Sequence, residues 1–175
     1  MAVIANGRAW LYKYSGPEED LIGRYLAAAL GYQADLIVRI PCDNPLVQPE
    51  YIDRAIQSYL DEPWIFYSNT TVRLNGQGYD GLGCEVLSLS LLQWLDHITK
   101  GNAILREHPH LYFKRLSSRC GHVHFNDDPS DITLDVNELP DYEFVKGIYD
   151  HCFPQNPHFG IMEILSYLDS KKVVA

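Results

Sequence analysis

Apolar positions along this chain recur in two periods, and they divide it into alternating helices and strands. In EEDLIGRYLAAALGY, Leu21, Ile22, Tyr25, Leu26 and Ala29 fall at helical spacing and the pattern stops at Gly31, which predicts a helix. DLIVRI, residues 35–40, is a short and nearly continuous apolar run, as expected of a strand covered on both faces. PEYIDRAIQSYLDE reads as a helix, with Pro49 in its first turn and acidic residues near its start. WIFYSN is a second strand-like run. GCEVLSLSLLQWLDHI begins as a strand and turns helical around Leu89. HVHFND and DITLDV both alternate, as half-buried strands do. DYEFVKGIYDHC and HFGIMEILSYLDS read as the last two helices. AVIANGRAWLYKY starts apolar and breaks at Asn6-Gly7, and the segment from Glu107 to Phe113 shows no clear period.

Strands alternating with helices imply βαβ units and a mainly parallel sheet. The late HVHFND/DITLDV pair predicts an antiparallel addition, giving an α/β sandwich with a mixed sheet. Turn-like stretches such as SGPEED, PCDNP and FNDDPSD punctuate the chain, but none is long enough to link domains. A single domain over residues 1–175 is therefore expected, with room for a sizeable core.

Composition narrows the function classes. Hydrophobic residues make up 46% and charged residues 21%, an ordinary globular balance. A formal net charge of −9 argues against general nucleic-acid binding, which needs basic surface, but leaves room for a nucleotide at a local cationic or metal site. No apolar run approaches the roughly 20 residues of a membrane span. MAVIANGRAW lacks the pattern of a signal peptide, and the four cysteines are scattered without a CxxC. A cytoplasmic protein without membrane or nucleic-acid partners is the expectation.

The chemistry starts at PCDNP. In open α/β sheets ligands bind at the carboxyl ends of strands, and Asp43 lies just past the end of DLIVRI. Pro41 and Pro45 fix φ on either side and stop strand and helix alike, so the carboxylate sits on a stiff turn. One carboxylate is a poor catalyst alone but a good hard ligand. Mg²⁺ is typically held by one or two carboxylates together with substrate phosphates. Within DITLDV, Asp131, Thr133 and Asp135 share a face by period two. Asp131 suits a turn role, and Asp135 is the better second ligand. The alternatives are a plain turn former for Asp43 and a helix cap or surface position for Asp135. RCGHVHFNDD supplies a rival constellation: His122 and His124 share a strand face with Cys120, near Asp127 and Asp128, and an HxH pair can bind Zn²⁺. His108 and His110 in EHPHLYF are candidate bases for a sugar hydroxyl.

The order of RIPCDNPLVQPEYID, FYSNT, GYDGLGCEVLS, REHPHLYF, ITLDVNELPDYEFVKGIY and FGIMEILSYL, from about Gly16 to about Leu168, resembles the cytidylyltransferase family of spore-coat polysaccharide biosynthesis. That family is related to acylneuraminate and 3-deoxy-manno-octulosonate cytidylyltransferases. The resemblance implies a nucleotide-diphospho-sugar-transferase-like three-layer sandwich with a mixed, mainly parallel sheet. It implies transfer of a nucleotidyl group, CMP from CTP, onto a sugar or sugar acid, with Mg²⁺ held by Asp43 and Asp135. Arg39, Asn69, Glu85, Arg106 and Glu107 fall in segments that resemble the sugar-side pocket. Cys42 stands where family members often carry Gly before the aspartate. Alternative roles are surface ion pairs for Arg39 and Arg106, a structural hydrogen bond for Glu85, and a strand-ending turn for Asn69.

One family feature has no counterpart. Nothing like the glycine-rich, basic G-x-G-x-R-x-x-x-K loop that cradles a triphosphate occurs in the sequence, and NGRAW is a poor substitute. The expectation is an N-terminally truncated fold lacking on the order of 60 residues of βαβ structure. Such a fold would expose a sheet edge and self-associate as a homo-oligomer. The second function class is accordingly a non-catalytic or split homologue acting as a sugar-binding or interaction protein.

Overall fold

The computed structural model describes residues 2–5, 8–11, 13–61, 66–69, 81–113, 120–122 and 132–172. They form two compact units, one built from residues 1–39, 56–68 and 85–122, the other from 40–55, 69–84 and 123–175.

The first unit opens with a hairpin. β1 (Ala2–Ala5) pairs antiparallel with β2 (Arg8–Leu11), with Ala5 opposite Arg8. The intervening Asn6-Gly7 is the strongest short-range hairpin signal, although the sequence there had suggested only a break. A four-stranded sheet follows in the order β3-β5-β4-β6, formed by β3 (Leu36–Arg39), β4 (Phe66–Asn69), β5 (Glu85–Ser88) and β6 (Cys120–His122). The β3–β5 pairing is antiparallel, with Arg39 opposite Glu85 and Leu36 opposite Ser88. That pairing departs from the parallel neighbours the strand–helix alternation predicts. β5 leads straight into a helix, and Leu89 N–H still donates to Asp35 O at 2.9 Å, so hydrogen bonding to the β3 side continues into the first residue of that helix.

Helix α1 (Leu21–Gly31) ends where the sequence places its stop. Helix α3 (Leu89–Ile98) begins at the expected switch, because Ser88 Oγ accepts from Leu91 N–H at 3.1 Å and caps it. Ile22 and Ala29 of α1, Ile37 and Leu87 of the sheet, and Leu91, Leu92 and Leu95 of α3 form this unit's core. Of two short helices, α4 (Ala103–Glu107) ends where the segment without a period begins and α5 (His110–Phe113) lies within it.

The second unit has its own core, in which Leu46, Tyr51, Leu82 and Leu134 join Val145 and Ile148 of helix α6 (Leu139–Cys152) and Ile164 and Leu168 of helix α7 (Ile161–Lys172). Tyr51 and Ala55 lie in the first half of helix α2 (Pro49–Asp61), which has Pro49 at its start as expected. DITLDV needs a correction. Its described residues, 132–136, hold a single bridge residue at Thr133 and no strand. The alternation is real in burial, since Leu134 is fully buried and Ile132 and Val136 pack against the same core. The backbone bonds elsewhere: Val136 N–H donates to Asp43 O at 2.8 Å.

Among the described residues no helix is long and apolar enough to cross a membrane. Cys42, Cys84 and Cys152 form no disulfide, with Cys42 exposed and the other two buried.

Candidate functional site

The second unit brings the two predicted metal ligands onto adjoining segments. Asp43 lies in the turn after Pro41, where Asn44 N–H reaches Pro41 O and Val47 N–H reaches Asn44 O, each at 3.4 Å. The Val136–Asp43 backbone bond fastens this turn to the segment carrying Asp135. Gly81 presses on the same segment. Its φ is +91°, and a Cβ there would run into the Asp135 amide nitrogen and the Leu134 carbonyl, so only glycine fits. The Asp135 segment is therefore fastened at two points, against Gly81 at its own amide and to the Asp43 turn through Val136.

Each aspartate exposes an unmet need. Oδ1 of Asp43 and Oδ1 of Asp135 are buried, and among the described residues neither has a hydrogen-bond partner. A buried acceptor left unsatisfied costs about 1–3 kcal/mol, and more when charged. Oδ2 of Asp135 is satisfied, accepting from Asn137 Nδ2 at 2.6 Å. Two hard oxygen donors left bare inside a folded unit suit a small divalent cation, and a Mg²⁺ site completed by phosphates needs no third protein ligand. Among the described residues no group of three or more His, Cys, Asp or Glu side chains is placed to hold a metal ion. The rival HxH motif is only partly within view: the backbone of Cys120 and His122 lies in β6, while His124, Asp127 and Asp128 fall outside the described residues.

The residues expected on the sugar side fall in the first unit, apart from Asn69, the final residue of β4, whose side chain is outside the described set. Arg39 and Glu85 face each other across the β3–β5 register and form an ion pair of 2.6 Å, with Glu85 buried. Tyr25 of α1 joins them through a hydrogen bond to Arg39. Burial holds the Tyr25 phenol above its usual range and Glu85 adds to this, while Arg39 pulls the other way. This trio lines a cavity of about 20 Å³ with Leu21, Leu92 and Pro109 among its walls. That is room for about one water molecule, well below the several hundred Å³ of an ordinary ligand pocket.

Arg106 is held by two carboxylates. Its Nε and Nη2 reach Asp20 Oδ1 at 2.8 Å, and Nη2 reaches Asp96 Oδ1 at 2.8 Å. Asp20 also caps α1, accepting from Gly23 N–H at 2.9 Å and from the Tyr14 hydroxyl at 3.0 Å. Burial works against the Asp20 carboxylate, but these donors and the guanidinium outweigh it and hold its pKa below the usual 3.8. The Arg106 guanidinium is correspondingly raised, burial being outweighed by Asp96 and Asp20. The geometry makes Arg106 a clamp joining α1, α3 and α4. Glu107 and His108 are exposed and 3.9 Å apart, and the His110 side chain lies outside the described residues. Gly81 and Asn137, which hold Asp135, lie within GYDGLGCEVLS and ITLDVNELPDYEFVKGIY, but no period or residue pattern marks them out from their neighbours there.

The described elements make an α/β protein whose fold is like that of nucleotide-sugar transferases. No family model matches the chain. Its structure is similar to that of a cytidylyltransferase from Leptospira borgpetersenii, with a TM-score of 0.80 and 25% identity over 91% of this chain and 66% of that one. The sequence is 28% identical over 167 residues to the spore coat polysaccharide biosynthesis protein SpsF of Bacillus subtilis, covering 89% of this chain and 64% of the relative. An uncharacterized protein of Methanocaldococcus jannaschii is 32% identical over 165 residues, 89% of this chain and 62% of its own. The Leptospira protein is named as a cytidylyltransferase and the Bacillus protein as one of spore coat polysaccharide biosynthesis, in line with the resemblance carried by the order of motifs. The chain spans a little under two thirds of the length of each of these proteins.

Proposed function

We propose that this chain carries the metal-binding part of a nucleotidyltransferase that joins a sugar or sugar acid to a nucleoside monophosphate from CTP, for surface polysaccharide biosynthesis. The observation that carries this reading is the pair of buried, partnerless Oδ1 atoms on Asp43 and Asp135. The named activity of the similar Leptospira protein and the named pathway of the Bacillus relative favour the same chemistry.

Mg²⁺ bound at such a site neutralises phosphate charge and orients the attacking oxygen. Nucleotidyl transfer is an in-line displacement at phosphorus, so the protein contributes chiefly position and charge. Asp43 and Asp135 would hold the cation from two segments braced against each other. Pro41, Pro45 and Gly81 keep those segments from relaxing toward water.

Pyrophosphate release from CTP, Mg²⁺ and candidate sugar acids tests the reading, in the longest natural form of the protein. Release that disappears in Asp43→Asn is the expected result. If no release occurs with any sugar acid tried, the enzyme reading falls and a sugar-binding interaction protein takes its place.

A further inference from the structure

A carboxylate whose rotation is controlled presents one fixed oxygen to a cation. Asp135 splits its two oxygens between different tasks. Oδ2 accepts from Asn137 Nδ2 at 2.6 Å, a short, charge-assisted bond, while Oδ1 stays buried and without a hydrogen-bond partner among the described residues. The donor is itself anchored. Asn137 N–H donates to Asp141 Oδ2 at 3.1 Å, and Glu138 N–H donates to the same oxygen at 2.8 Å. Asp141 lies in the first turn of α6, whose Val145 and Ile148 are buried in the core of the second unit. A continuous path thus runs from that core through the α6 N-terminus and Asn137 to the rotation of one carboxylate.

We propose that Asn137 is a positioning residue of the metal site, which turns the Asp135 carboxylate so that Oδ1 is the oxygen presented to the cation. This rests on the metal reading given above. Asn137 is exposed, so its side chain fills no core space. Its backbone N–H, which any substitution short of proline retains, does the helix capping. Its carboxamide is therefore separable from fold stability. The neutral amide also orients the carboxylate without adding charge of its own, unlike Arg106 on Asp20. Partners that orient metal ligands typically contribute 10–100-fold in metal affinity.

The test is direct Mn²⁺ titration by electron paramagnetic resonance, without nucleotide, on the wild type, Asp135→Asn, Asn137→Ala and the near-isosteric Asn137→Leu. Thermal unfolding is measured alongside. The expected result is binding in the wild type, loss in Asp135→Asn, and 10–100-fold weaker binding in both Asn137 variants at an unchanged unfolding midpoint. Wild-type affinity in either Asn137 variant, with binding lost in Asp135→Asn, overturns the positioning role and leaves the metal site standing. A wild type that takes up no Mn²⁺, or an Asp135→Asn variant that binds as well as the wild type, overturns both.

Discussion

In the first unit Glu85 and Asp20 lie against guanidinium groups at 2.6 and 2.8 Å, whereas in the second unit Asp43 and Asp135 each keep a buried oxygen with no hydrogen-bond partner among the described residues. The two units handle partly buried acids in opposite ways. Where a carboxylate is met by an arginine, folding satisfies it and the pair ties elements together. Where it is left bare on a turn braced by prolines and a neighbouring segment, folding has carried an electrostatic cost that a cation would remove. Removing an acid should therefore do different things in the two units, losing stability in the first and activity in the second.

The sharpest break between them is Asp43→Asn. On the metal reading proposed above, losing one of two charged ligands would remove several kcal/mol of charge stabilisation, so pyrophosphate release should fall by on the order of 10³-fold. Stability in urea should stay equal or rise by about 1 kcal/mol, because a buried uncompensated charge is gone. Activity retained in this variant, or a marked drop in stability, would remove the contrast. Gly81→Ala should come next. The new Cβ meets backbone rather than a flexible side chain, at a φ that disfavours any Cβ, and a loss of about 3 kcal/mol is expected by chemical denaturation. A near-neutral result would mean that the Asp135 segment yields easily and is not braced.

Arg106→Ala probes the satisfied side. It takes the guanidinium away from Asp20 and Asp96, whose side chains are 18% and 28% exposed, so solvent softens the effect. A loss of about 2 kcal/mol in urea is expected, between the fully buried and the surface cases. The same substitution should leave Mn²⁺ binding unchanged, and weakened binding would argue against the separation of roles.

What could be read beforehand follows from how local each cause is. α1, α2, α6 and α7 were legible because their apolar periods are carried by neighbours in sequence, and the strand-to-helix switch at Leu89 was legible through Ser88. The Asp43 turn was legible because two prolines mark it. Arg106 was harder, since its partner Asp20 lies 86 residues away and no local pattern announces the pair. DITLDV kept its alternating burial yet formed no strand among the described residues, because hydrogen bonding to the Asp43 turn supplied a non-local partner. Asn137 was invisible for another reason. An amide two residues from an acid is common in any loop, and only the bare Oδ1 beside it gives the bond meaning. α4 and α5 are too short to show a period, and α4 is marked by its cap, Asn102 Oδ1 accepting from Leu105 N–H at 3.0 Å.

The smallest effect expected is a titration in the first unit. The Asp20 carboxylate is held below its usual 3.8: burial pushes it up, and the Gly23 N–H, the Tyr14 hydroxyl and Arg106 together push it further down. A lowered folded-state pKa means that the unfolded chain takes up the proton first as the solution becomes acid. The stabilisation is therefore complete above the unfolded value and drains away as pH falls through the lower, folded one. Urea midpoints followed from about pH 5 to about pH 2 should show a steeper acid decline in the wild type than in Asp20→Asn. In Arg106→Ala the decline should be partly flattened, because the Gly23 and Tyr14 donors remain. Parallel declines in all three would show that the clamp does not hold the carboxylate in solution, and the division between satisfied and bare acids would then rest on the second unit alone.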